Sequence, residues 1–251
     1  MERQNILDMV NGRYGVVAAR SPLVTKLQEA QFEWPRGAYT YFLPINKLNE
    51  LVTASSVKEE LRILFPEVDD DSLDYLATLI CSNSKKLFTV LLYGFKSEAK
   101  VICSLLDYQV TDKDLPFTRI PLGQNLPNVT NPPWHVGRNK HGECDKADHR
   151  SCGIPCLETW HQMDIQNLGK YQWLVLAPIF QSSSEEIPQL DLDDNTVLPF
   201  TEDDELNPIY FRRGGYGEVW PVRIHPGHQN LLPSTHPKVI TPPRKHLESI
   251  G

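Results

Sequence analysis

Cysteine, long apolar runs and surplus positive charge are all scarce in this chain of 251 residues. Its five cysteines are odd in number and unevenly spread, which excludes an all-paired disulfide framework and fits reduced thiols. No segment approaches the uninterrupted apolar length of a spanning helix, and Met1-Glu2-Arg3-Gln4-Asn5 does not open a signal peptide. An intracellular, cytoplasmic protein is therefore expected. The net charge of −7 gives no electrostatic case for nucleic acid or an anionic membrane surface, so neither is expected as a partner. What is present is an ordinary globular composition, 40% hydrophobic and 23% charged. Its 20 prolines gather in the second half, where they point to long loops.

Residues 1 to about 20 show no amphipathic period. From Pro22 to about Tyr108 the spacing is helical. Leu23, Leu27 and Ala30 share a face, and Leu48, Leu51 and Val52 form a short stripe. Ser56, with Glu59 three residues on, predicts a capping box ahead of Leu61, Leu64 and Phe65, with Pro66 ending that helix. Asp69-Asp70-Asp71 places carboxylates at the start of the next helix, where the dipole favours them, before Leu73, Leu76, Ala77 and Ile80. The apolar run from Leu87 to Tyr93 fits a buried helix or strand. Helix is preferred, because Val101, Ile102, Leu105 and Leu106 continue a period near 3.6. These apolar faces are read as core packing, with a groove for a protein partner as the alternative.

The expected organisation is α+β. Residues 1–116 form a helical N-terminal domain and residues 117–170 an irregular connection rich in Pro, Gly, His and Cys. Residues 171–206 form a β segment and an acidic linker, and residues 207–251 a C-terminal β-hairpin. The β reading rests on the run from Tyr171 to Phe180. Residues 181–206 hold nine acidic side chains and no Lys or Arg, so that tract self-repels, apart from the apolar island Leu198-Pro199-Phe200, which is able to dock elsewhere.

Three stretches carry residue types with possible chemistry. His135, His141, Cys144, Asp148, His149, Cys152, Cys156 and His161 are types that ligate zinc, but no paired CxxC occurs and the spacing fits no standard finger. A polar loop that happens to collect these side chains is preferred, so no metal ligand is assigned. A Cys152–His161 nucleophile lacks an oxyanion turn and an orienting third group, and no catalytic residue is assigned. Cys81 and Cys103 lie on helical apolar faces and are read as small hydrophobes.

The third site is Phe211-Arg212-Arg213-Gly214-Gly215-Tyr216-Gly217-Glu218-Val219-Trp220. Glycines at 214, 215 and 217 lie between a β-prone lead-in (Ile209, Tyr210, Phe211) and a β-prone exit (Val219, Trp220, Val222, Ile224), predicting a hairpin whose backbone N–H groups a ligand can approach. Gly214, Gly217 and Val219 match G-x-G-x-x-G-x-V, with Tyr216 at the aromatic tip and Arg212 where the first glycine belongs.

This stretch, with Ile224-His225-Pro226-Gly227-His228 after it, resembles the start of the kinase domain in protein-kinase-like proteins of filamentous fungi. A D-x-D-L-P element (Asp112 to Pro116), a Q-W-x-x-L-A-P-x-F segment (Gln172 to Phe180) and the L-P-F island fit the same group. The resemblance implies an ATP-binding serine/threonine protein kinase. Its backbone N–H groups at Gly214, Gly215, Tyr216 and Gly217 would lie over the phosphates of ATP, with Mg²⁺ as co-ligand, and Val219 would pack on adenine. The chain holds no V-A-I-K, H-R-D, D-F-G or A-P-E, and Lys238, at a possible strand-three distance, follows no buried strand. The kinase-like part is thus read as truncated and inactive. The alternative is a non-enzymatic interaction module whose helical domain binds a protein partner.

Overall fold

The computed structural model describes residues 21–35, 37–94, 101–121, 134–138, 153–158, 160–181, 190, 192–201, 212–214, 217–219 and 222–231. They form a mixed α and β structure of seven helices and five small two-stranded pairings.

Helix α1 (Pro22–Glu29) starts at Ser21, whose hydroxyl accepts from Leu23 and Val24 N–H and donates to the buried carboxylate of Glu60. Pro22 fits the first helical turn, where its missing N–H has no intrahelical partner to lose. A short ribbon follows, in which β1 (Phe32–Glu33) pairs antiparallel with β2 (Tyr41–Phe42). Helix α2 (Ile45–Leu51) leads into α3 (Ala54–Leu64), capped by Thr53. The capping box is therefore one turn earlier than expected: Thr53 Oγ1 accepts from Ser56 N–H, and Ser56 Oγ returns the bond to Thr53 N–H. Ser56 is the return partner and not the cap, because Thr53 is the residue with extended backbone.

Asp69 caps α4 (Asp70–Asn83) as the acidic triplet implies, and α4 packs along α3. Across their exposed edge Lys58 pairs with Asp74 at 2.6 Å and Arg62 with Asp70 at 2.8 Å. The run from Leu87 is helical, within α5 (Lys85–Gly94), and α6 (Val101–Asp107) follows. Leu87, Phe88, Thr89, Val90, Leu91 and Leu92 are all buried, so α5 is covered on every side and is the central helix. Its N-terminus receives the Asp112 carboxylate, whose two oxygens accept from Lys86 and Leu87 N–H at 3.0 and 2.9 Å. Burial pushes the Asp112 carboxyl above the usual range despite these two donors.

After a short 3₁₀ turn (Asp112–Asp114), β3 (Thr118–Pro121) pairs antiparallel with β4 (Trp134–Gly137). A further helix, α7 (Gln162–Tyr171), lies in the stretch expected to be irregular and packs on α5. The strand expected over residues 171–180 is instead a 3₁₀ turn, Gln172–Val175, that continues α7. Only its end, β5 (Phe180–Gln181), is extended. Gln172 accounts for the difference. Buried at the end of α7, it accepts from Phe117 N–H at 2.7 Å and donates to Phe117 C=O at 3.1 Å, the job a neighbouring strand would have done. Two further pairings involve residues after α7. β6 (Phe200–Thr201) runs antiparallel to β9 (Arg223–Ile224), and β10 (Gln229–Asn230) runs parallel to β5.

Candidate functional site

The glycine stretch does form an antiparallel pair. β7 (Arg212–Gly214) faces β8 (Gly217–Val219) with Arg212 opposite Val219, Arg213 opposite Glu218 and Gly214 opposite Gly217. The last paired residues are both glycines, so the connector is the two-residue step Gly215–Tyr216, which lies outside the described residues. Of the expected nucleotide-facing set, Gly214 and Gly217 of the phosphate group and Val219 of the adenine contact are thus placed on one short ribbon.

The exit strand does not run on from Val219 to Ile224 in the same pair. Ile224 pairs with Phe200, and Arg223 with Thr201. This gives the Leu198-Pro199-Phe200 island its docking partner. Pro199 C=O also accepts from His225 N–H at 2.8 Å, and the Phe200 ring lies edge-on to Trp34 and stacked on Phe180.

The I-H-P-x-H element packs into the helical part of the molecule. His228 is 2% exposed. Its Nε2 accepts from Ile45 N–H at 3.0 Å, and its Nδ1 lies 3.0 Å from Pro178 C=O. Since an N–H fills Nε2, the proton is on Nδ1 and is donated to Pro178. His225, also buried, uses Nδ1 to accept from Gly227 N–H at 3.0 Å, which leaves its proton on Nε2. The His225 ring sits edge-on to Phe32 and Phe42, and the His228 ring edge-on to Phe42. Gly227 lies close to α2: a Cβ there would lie 2.2 Å from Asn46 Oδ1, so the Asn46 side chain would have to shift. Burial holds both imidazoles below the ordinary histidine range; repulsion from His228 adds to this at His225, and repulsion from Lys86 at His228.

The remaining candidates resolve as far as the described residues reach. His161 caps α7, its Nδ1 accepting from Met163 N–H at 3.3 Å. His141, Cys144, Asp148, His149 and Cys152 lie outside the described residues, as does Lys238. Among the described residues no group of three or more His, Cys, Asp or Glu is placed to hold a metal ion. Burial pushes the Cys103 thiol up to about 12 and the Cys156 thiol up to about 11, and raises Cys81 as well, so none of these is a ready thiolate. The D-x-D-L-P element is structural. Asp112 caps α5, while Asp114 accepts from Thr111 N–H and pairs with Arg138. Sequence spacing pointed to neither the Gln172–Phe117 exchange nor the burial of His225 and His228, since each partner lies far away in the chain.

No protein-family model matches the chain, and neither does any curated protein or any solved structure. No helix among the described residues is long and apolar enough to cross a membrane.

Proposed function

We propose that this chain is a non-catalytic relative of ATP-binding serine/threonine protein kinases, in which the glycine ribbon contacts nucleotide phosphates. The observation that carries this is the register of β7 and β8, which ends on Gly214 opposite Gly217 and leaves Gly215–Tyr216 as a two-residue tip. Backbone N–H groups at such a tip suit phosphate oxygens, and the lack of side chains at the glycines permits close approach. Gly214, Gly215, Tyr216 and Gly217 would hold the phosphates, with Val219 against the base. Bound ATP would bring Mg²⁺ with its own phosphates. Phosphoryl transfer is not expected, because the 251 residues contain no V-A-I-K, H-R-D or D-F-G motif.

Calorimetric titration of the whole chain with ATP and Mg²⁺ tests this. Weak saturable binding is expected, reduced by Gly217→Val, with no phosphate transferred to a generic protein substrate. Absence of binding at saturating nucleotide overturns the nucleotide reading, and measurable transfer overturns the non-catalytic one.

A second reading, a protein-interaction module, is favoured by the β1–β2 ribbon. Tyr39 at its tip is 83% exposed, and Phe32 and Tyr41 are also open to solvent. Deleting residues 207–251 would not isolate this surface, because residues 225–228 pack against Phe42.

A further inference from the structure

We propose that the His225-Pro226-Gly227-His228 turn is a pH-operated latch, which fastens residues 222–231 to the helical part of the molecule near neutral pH and releases them in mildly acidic conditions. The geometry carries this. Each ring has one nitrogen committed as acceptor of a backbone N–H, from Ile45 to His228 Nε2 and from Gly227 to His225 Nδ1. An imidazolium has no acceptor nitrogen, so protonating either ring sets N–H against N–H and breaks that bond. The two ring centroids are 6.0 Å apart, so charging both also adds repulsion.

Among the described residues the neighbouring charged groups give a charged ring no anionic partner, and only the Pro178 and Ala177 carbonyls favour the imidazolium, at His228, where burial outweighs them. From β1, Glu33 faces its own ribbon, accepting from Gly37 and Tyr39 N–H. From α2, Lys47 and Glu50 pair with each other at 2.7 Å and are exposed. From α5, Lys86 is a like charge for an imidazolium, and Asp112 beside it is occupied by the α5 N-terminus. Arg223 on β9 is exposed and also positive. Phe32 and Phe42 line the rings edge-on, and the uncharged Asn46 side chain lies against Gly227.

The sign follows from linkage. Both folded values lie below the unfolded one, so the released segment binds protons that the docked one refuses. Docking is fully favoured above the unfolded value of about 6.5 and weakens as pH falls below it. At pH 5.0, about 1.5 units lower, the released-to-docked ratio rises by up to about thirtyfold per ring. The latch does not depend on nucleotide binding, although it lies directly after the glycine ribbon in the sequence.

The test is amide hydrogen exchange on the whole chain at pH 7.5 and 5.0, corrected for intrinsic rates. The Ile45 amide, bonded to His228, should lose protection about tenfold or more at pH 5.0, while the Phe88 amide, bonded to Ser84 C=O, keeps its own. Unchanged Ile45 protection overturns the latch, and so does equal loss at Phe88, which would be general acid unfolding. His228→Phe should leave Ile45 poorly protected at both pH values. Nitrogen shifts of the rings give an independent check that needs no variant. Neutral His228 with its proton on Nδ1 is expected at pH 7.5, and an imidazolium coexisting with a protected Ile45 amide overturns the proposal.

Discussion

The helical part and the ribbons that follow it are held together by different physics. Around α5, stability comes from apolar side chains with no exposure at all, Leu87, Phe88, Val90 and Leu91 among them, each contributing on the order of 1.5–3 kcal/mol by leaving water. Beyond residue 176 the described buried hydrophobic residues are only Ala177 and Val197. There the chain is fastened by pairs of two-residue strands, ring-on-ring contacts and the two histidines. Apolar burial is indifferent to pH and tolerant of small displacements. A histidine bridging a specific N–H and a specific C=O is neither.

Phe88→Ala strikes the first region hardest. A loss of about 3–5 kcal/mol is expected, from lost burial and a cavity in a helix covered on all sides, read as a lower denaturation midpoint for the whole chain. Gln172→Ala strikes the joint where α7 ends against Phe117. It strands both the N–H and the C=O of Phe117, for an expected cost of about 1–3 kcal/mol in the same denaturation measurement. Gly227→Ala strikes only the second region. The added methyl must displace Asn46, so protection at Ile45 should fall while the main unfolding transition stays where it was. If Gly227→Ala shifts that transition as far as Gln172→Ala does, the two regions are one cooperative unit and the contrast drawn here fails.

The same division explains what could be read in advance. Helical spacing of Leu73, Leu76, Ala77 and Ile80, and the acidic start at Asp69, matched α4 because every determinant lies within a few residues. The α+β class was legible for the same reason. By contrast α7 buries only Ile165 and Leu168, too few to announce a period. The run from Tyr171 to Phe180 looked like a strand because a continuous apolar stretch carries no periodicity to separate the alternatives, and the deciding contact comes from Phe117. At the candidate site, local glycine chemistry pointed to a hairpin, and Arg212–Gly214 does pair with Gly217–Val219, though Ile224 of the expected exit strand pairs with Phe200 instead. The placing of His225 and His228 was illegible, since it is decided by Ile45 and Phe42.

The contact between His228 and Ile45 spans 183 residues of sequence. During synthesis the helical part therefore emerges long before the turn that covers one of its faces. At ordinary elongation rates of about 5–20 residues per second the interval is roughly ten to thirty-five seconds. Through that interval Phe42 lacks the rings that later close over it, and the Ile45 amide lacks its acceptor. A nascent chain of this protein thus displays, for a defined period, an apolar spot that chaperones which bind exposed apolar segments could engage, and arrival of residues 225–228 brings that period to an end.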